Sequence, residues 1–159
     1  MIASAETREA AESWRDNLIE DAEGLRRLLA QTRRVAVLGM RPESHSMRPA
    51  FYVPQYLHAA GLEVVPVPVH HPEAKTILGQ KVYFKLADVP GSIDMVDVFR
   101  RAEDIDAHLE DILAARPTAV WFQSGIRNDR AAERLARAGI KVVQDRCLMV
   151  DHRSYGPRR

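Results

Sequence analysis

The chain of 159 residues has a single cysteine, Cys147. One thiol closes no internal disulfide and supplies no cysteine-based zinc site, and it suits a reducing compartment. No stretch approaches the ~20 consecutive apolar residues that a membrane span needs. The opening segment, MIASAETREAAESWRD, is acidic and lacks the apolar core of a secretory signal. The expected location is therefore cytoplasmic. Neither sign of charge prevails, with 23 Lys+Arg against 22 Asp+Glu and a net charge of +1. Bulk charge thus makes no case for nucleic acid or a membrane surface as partner. The GxGxxG fingerprint, the P-loop, the GxSxG elbow and the kinase set are all missing. The histidines show no HExxH spacing, and the adjacent His70 and His71 point opposite ways on extended backbone, so no metal site is expected.

What is present is an ordinary globular mixture, 46% hydrophobic and 28% charged, of about one domain's length. Residues 34–39, RVAVLG, form a β-branched run that breaks at a glycine. A loop over 40–48 and a helix-like run over 49–60 follow, which reads as the first βα unit of a doubly wound sheet. Apolar residues three or four apart over 4–31 predict one amphipathic helix or two, with Glu20, Asp21 and Gly24 as a break. This segment, 1–33, is expected to pack on the outside of the sheet.

A second strand is read in 62–69. Pro66 and Pro68 share a parity, so ladder pairing fails there, and the sheet should end near 65–67 with 68–72 as loop. A short strand-like piece follows at 82–84, a third main strand at 93–99, a helix over 102–115, a fourth strand at 119–122, a helix over 129–138 capped by Asn128, and a fifth strand from 141. Gly61, Pro117 and Gly139 mark stops. Residues 153–159 read as a basic, frayed tail. The alternation predicts an α/β fold: a mainly parallel five-stranded sheet with helices on both faces and an N-terminal helix.

In such a sheet the strand C-termini share one edge. Here that edge receives 39–48, 68–72, 99–101 and 123–125. Helix starts and arginines converging there suit an anionic ligand, most simply a phosphate ester. Each residue also has a plain structural account. Gly39 can serve only a tight strand exit. Ser44 and Ser46 either bond a diphosphate or are solvated. Arg48 sits where an arginine opposes the helix dipole, which favours a phosphate role. Arg100 and Arg101 either read phosphate or pair with Glu103 and Asp104. His70 or His71 can stack on an adenine. Asp94 and Asp97, three apart, fall on opposite strand faces and make no acid–base dyad. Asp97 either holds a ribose hydroxyl or an arginine, or is a satisfied polar residue at the sheet's mouth. Cys147 reads as a buried structural thiol.

Together, VAVLG, MRPAFYVPQYL, GLEVVPVPVHHP, LGQKVYFKLADVP, IDMVDVFRRAEDI and AVWFQSGIRNDRAAERLARAGIKVVQDRC resemble the bacterial single-domain CoA-binding proteins of the YccU type. These are relatives of the CoA-binding domain of succinyl-CoA synthetase alpha subunits and ADP-forming acyl-CoA synthetases. The match runs over residues 34–152. The resemblance implies a Rossmann-like domain whose ligand is coenzyme A or an acyl-CoA. It would set Gly39, Met40, Arg41, Ser44, Ser46 and Arg48 at the diphosphate, and Pro68, His70 and His71 beside the adenosine. Phe99, Arg100 and Arg101, with Gln123, Ser124 and Gly125, would line the pocket, and Lys75 would reach the ribose 3′-phosphate. Two features depart from the family: the longer first loop, MRPESHSMRPA, and Pro54, which leaves 49–53 as loop if it is an early helical position.

The residues fit a binding module without a nucleophile–base pair. In the larger relatives acyl transfer uses a phosphohistidine on a further domain, so a synthetase role would need a partner subunit. An NAD(P)-binding redox domain is the other alternative. The lone glycine and the lack of an acid ending the second strand argue against it.

Overall fold

The structure, a computed structural model, describes residues 13–158. Its sheet has five strands: β1 (Arg34–Leu38), β2 (Glu63–Val67), β5 (Met95–Val98), β6 (Ala119–Phe122) and β7 (Lys141–Val143). A small antiparallel hairpin, β3 (Thr76–Ile77) and β4 (Gln80–Lys81), lies between β2 and β5 in the chain. The sheet order is β2-β1-β5-β6-β7, and every neighbouring pair is parallel. The helices are α1 (Ala22–Gln31), α2 (Pro49–Ala59), α3 (Leu109–Ala115), α4 (Asp129–Arg137) and α5 (Leu148–Tyr155). The doubly wound α/β fold expected from the alternation is the one observed.

Strand side chains divide by parity between two cores. Ala36, Leu38, Val96, Val98, Val120 and Phe122 pack with Leu109 and Ile112 of α3 and Ala131 and Leu135 of α4. Val35, Val37, Met95 and Trp121 pack with Leu25 and Leu29 of α1, Phe51 and Leu57 of α2, and Leu148 of α5. With both faces covered, these strands read as near-continuous apolar runs, interrupted in β5 by Asp97.

Several elements depart from the sequence reading for identifiable reasons. The strand piece expected at 82–84 is instead the β3–β4 hairpin just before it. Leu78 and Gly79 both take positive φ, 52° and 70°, and close a two-residue turn that the Val-Tyr-Phe run masked. The helix expected over 102–115 is a 3-10 helix, Ala102–His108, followed by α3. The third main strand is shorter than 93–99. Pro66 keeps its place inside β2, opposite Val37, because β2 is an edge strand whose outer side needs no ladder donor. The sheet does stop at Val67, and Pro68 lies just past it.

In the N-terminal segment a 3-10 helix, Ser13–Asn17, precedes α1, and Asp21 caps α1 by accepting from the Gly24 amide at 3.0 Å. The segment bends round the β7 edge: Leu18 bridges Val142, and the Ile19 amide donates to the Val142 carbonyl at 2.9 Å. Trp14 thus packs on one core and α1 on the other. The part of the expected helical segment before residue 13 lies outside the described residues. At the other end the chain continues as helix through Tyr155, where a frayed tail from 153 was expected.

Candidate functional site

From β1 the chain turns to one side to make β2, and β5 then adds on the other side of β1. That reversal opens a crevice between the exits of β1 and β5, the switch point at which doubly wound folds bind ligands. A cleft of about 430 Å³ lies there. Four arginines, Arg41, Arg48, Arg100 and Arg101, line it together with apolar Ala50, Val53, Phe99 and Ile126, and with Gln123, Ser124 and Cys147. A narrow hollow of about 30 Å³ continues from it, lined by Gly39, His70 and His71, and shares Arg41, Phe99 and Arg100 with the main cleft.

The backbone builds this meeting point. Gly39 leaves β1 at φ 85°, and a Cβ there would collide with the Phe99 carbonyl oxygen. Only glycine lets the exits of β1 and β5 come this close. The Gly39 amide donates to Val67 (2.8 Å) and the Phe99 amide to Leu38 (2.9 Å), so three strand ends are tied together. Helix α2 starts at Pro49 with Arg48 as its N-cap residue, and the Arg48 side chain makes no capping bond. Pro54 is the sixth residue of α2. Residues 49–53 are therefore helical, and the cleft is lined by a helix start where loop was one expectation.

The arginines differ in their partners. Among the described residues Arg41 and Arg48 make no ion pair. Arg101 is exposed and pairs with Asp104 (2.8 Å) and Glu103 (3.4 Å), so one of the two roles weighed for it, the acid pair, is realised. Arg100 is largely buried: Nη1 lies 3.0 Å from His70 Nε2, Nε donates to His108 Nε2 at 3.3 Å, and Nη2 stands 3.5 Å from Asp104. Burial and then Arg100 hold the His108 imidazole below its ordinary range. Loss of water, then Arg41, His71 and Arg48, do the same to His45, whose ring packs edge-on against His71 at 4.9 Å.

Two groups behind or beside the lining were misjudged from sequence. Asp97, on the central strand, is fully buried. Its Oδ1 accepts from Gln123 Nε2 at 2.7 Å, while Oδ2 has no hydrogen-bond partner among the described residues. The reading of a satisfied polar residue therefore does not hold for it. Burial pushes its carboxyl up to about 8, against the Gln123 bond that favours the ionised form, so it is mostly protonated at pH 7. Cys147 was expected to be buried, but it is half-buried and lines the cleft. It is held there by its neighbours: Trp121 Nε1 donates to the Arg146 carbonyl (2.7 Å), and the Arg146 guanidinium grips Asp151 of α5 through two bonds of 2.6 and 3.0 Å.

Of the residues singled out in the sequence, Gly39, Arg41, Arg48, His70, His71, Phe99, Arg100, Arg101, Gln123 and Ser124 are brought together around the two hollows. Met40 also borders the smaller hollow, although it is wholly buried and belongs to the core. Ser44, Ser46, Pro68, Lys75 and Gly125 line neither hollow. Ser44 Oγ bonds the neighbouring His45, Pro68 is buried, and the Gly125 amide donates to Asp145 at 2.6 Å. Pro49, Ala50, Tyr52 and Val53 line the cleft as the first turns of α2, where one expectation set 49–53 nearer the ligand as loop; Ile126 is the lining residue that the sequence reading missed.

The fold and the cleft define a doubly wound α/β domain with an arginine-lined cleft at its switch point. Residues 33–153 match the family described as CoA binding domain, and the chain belongs to that family. It is 32% identical over 130 residues to the uncharacterized protein YneT of Bacillus subtilis, covering 80% of this chain and 91% of that protein. It is similar to the solved structure of cell-free ID.343 from Thermus thermophilus, with 40% identity, a TM-score of 0.78, and coverage of 86% of this chain and 99% of that one. The fold also superposes on part of the dinucleotide-forming acetyl-coenzyme A synthetase 1 of Ca. Korarchaeum cryptofilum. That likeness has a TM-score of 0.61 at 21% identity, over 74% of this chain and 26% of the synthetase, and it is one of fold. Among the described residues no helix is long and apolar enough to cross a membrane, and no cluster of His, Cys, Asp and Glu could hold a metal.

Proposed function

We propose that this chain binds coenzyme A, or an acyl-CoA, in the switch-point cleft and does not transform it unaided. The carrying observation is the pair Arg41 and Arg48, two cations on one cleft with no acidic partner among the described residues. Charges left unpaired beside an apolar lining suit a ligand that is anionic at one end and less polar at the other. Coenzyme A has that form: diphosphate and 3′-phosphate on the nucleotide, then a pantetheine arm ending in a thiol. In this reading the backbone of 39–41 and Arg48 take the diphosphate, and His71 lies beside the adenosine. Ser44, Ser46 and Lys75, now outside the hollows, would act only if their loops closed over the ligand. Gly125 and Pro68 would shape backbone near the site rather than touch ligand.

The lining holds no nucleophile with an adjacent base, which supports binding without turnover. Acyl transfer would require a partner chain carrying the reactive group, and such a subunit would co-purify. The cytoplasm, where coenzyme A is abundant, is the proposed location. The proposal is tested by thermal shift with coenzyme A, acetyl-CoA, NAD and NADP. Stabilisation by coenzyme A alone or with acetyl-CoA supports it, by roughly 2.7 kcal/mol at a hundredfold excess over Kd. Stabilisation by NAD or NADP instead would replace it with the redox alternative.

A further inference from the structure

The geometry around Arg100 carries a statement about how phosphate is read, and it rests on the coenzyme A proposal. A guanidinium can only donate. Both ring nitrogens facing Arg100, His70 Nε2 at 3.0 Å and His108 Nε2 at 3.3 Å, must therefore accept. Each of these rings is neutral in this state, with its proton on Nδ1. Arg100 spends Nε on His108 and part of Nη1 on His70, with Asp104 at 3.5 Å from Nη2. The two histidines differ, however. His108 is half-buried behind Arg100, and burial together with Arg100 disfavours its charged form. His70 is more open to solvent and lines the hollow with Arg100.

We infer that His70 and Arg100 form a two-part phosphate clamp, in which His108 and Asp104 hold Arg100 in place and His70 takes up a proton when the phosphate arrives. A phosphate oxygen next to Arg100 Nη1 faces a lone pair on His70 Nε2, and two acceptors repel. A proton taken from water onto Nε2 ends the Arg100 Nη1–H···Nε2 hydrogen bond, turns that nitrogen into a donor and adds a second cation to the clamp, so that both groups then donate to the phosphate. The charges around the pair permit this. Arg41 lines the same hollow from the β1 exit, while Asp104 beside Arg100 and, at His108, Asp111 bring negative charge. His71 stands 3.4 Å from Glu73 and packs against His45, so it has its own partners. His70 is thereby assigned to phosphate, where an adenosine contact was expected.

The test is isothermal titration of the full chain with coenzyme A between pH 6 and 8, in buffers of different ionisation enthalpy, for wild type, His70→Gln and His108→Asn. The glutamine side chain of the first variant can still accept from Arg100 but cannot gain a proton, and subtracting this variant removes the ligand's own phosphate titration. Wild type should take up a fraction of a proton per ligand near pH 7. Relative to His70→Gln, it should gain roughly tenfold in affinity from pH 8 to pH 6. His108→Asn should bind more weakly at every pH while keeping the proton uptake. Dephospho-coenzyme A locates the phosphate: uptake retained means the diphosphate sits in the clamp, and uptake lost means the 3′-phosphate does. Equal proton uptake in wild type and His70→Gln overturns the clamp while leaving coenzyme A binding intact. No binding by any of the three proteins at any pH overturns the coenzyme A proposal and the clamp with it.

Discussion

At the scale of single residues, Gly39 matters most to the site's geometry. Its φ of 85° and the Phe99 carbonyl against its α-carbon leave no space for a side chain. Gly39→Ala should cost on the order of 2 kcal/mol or more of unfolding free energy, from left-handed strain together with the clash. The exits of β1 and β5 should part, and ligand affinity should fall with stability. Denaturant titration checks the first effect, and a change within ~0.5 kcal/mol would show that the strand exits adapt freely. Cys147 offers a second residue-level test. Its thiol lines the cleft, so saturating coenzyme A should slow its alkylation by iodoacetamide severalfold. Cys147→Ser should leave the affinity near its wild-type value, because in the proposed complex polar donors and cations, not the thiol, face the phosphates. Unchanged alkylation in the presence of bound ligand would move the ligand away from that end of the cleft.

At the scale of elements, the central strand β5 carries a buried carboxyl whose cost depends on pH. The Asp97 carboxyl goes from 3.8 unfolded to about 8 folded. The folded state thus holds the proton more tightly between these values, and stability falls as pH rises through that window, flattening below and above it. Asp97→Asn removes the slope. Its stability relative to wild type should climb from about pH 4 to pH 8 by an amount on the order of a few kcal/mol. Parallel pH profiles of the two proteins would show that Asp97 is charged or hydrated in the fold. Helix α4 provides a simpler case. The Asn128 side chain accepts from the Ala131 amide at 3.0 Å, so Asn128→Ala should destabilise by about 1 kcal/mol. An unchanged denaturation midpoint would mean that this helix start is satisfied by water.

The elements also show what the sequence made legible. The main strands and α4 were readable because β-branched runs, Asn128 and Gly139 are local signals that burial reinforces. The β3–β4 hairpin was not, because Leu78 adopts positive φ only through its turn partner Gly79 and the packing beneath it. The 3-10 form of 102–108 was equally hidden, since its apolar spacing is also that of an α-helix. At the site, the arginines and Gly39 could be found because loops after parallel strands converge by topology alone. Cys147 and the unpartnered oxygen of Asp97 could not, because burial at the strand ends depends on how α2 and α5 close over them.

At the scale of the whole molecule, two helical layers enclose five parallel strands, and the one place where the winding reverses is also where four arginines gather. The N-terminal segment closes the β7 edge through the Leu18–Val142 bridge, far along the sheet from β2. That cover protects an edge that would otherwise present unpaired backbone groups. The stability of the sheet and the occupancy of its cleft are thus separable properties, and a loss of binding need not mean a loss of fold.

The most direct measurement is titration of the purified chain with coenzyme A, set beside Arg41→Ala/Arg48→Ala at the same pH and salt. Saturable one-to-one binding, weakened at least tenfold by the double substitution while the thermal midpoint without ligand holds, is the expected result. No heat or stabilisation with coenzyme A, or an affinity indifferent to both arginines, would contradict a phosphate-bearing ligand in this cleft.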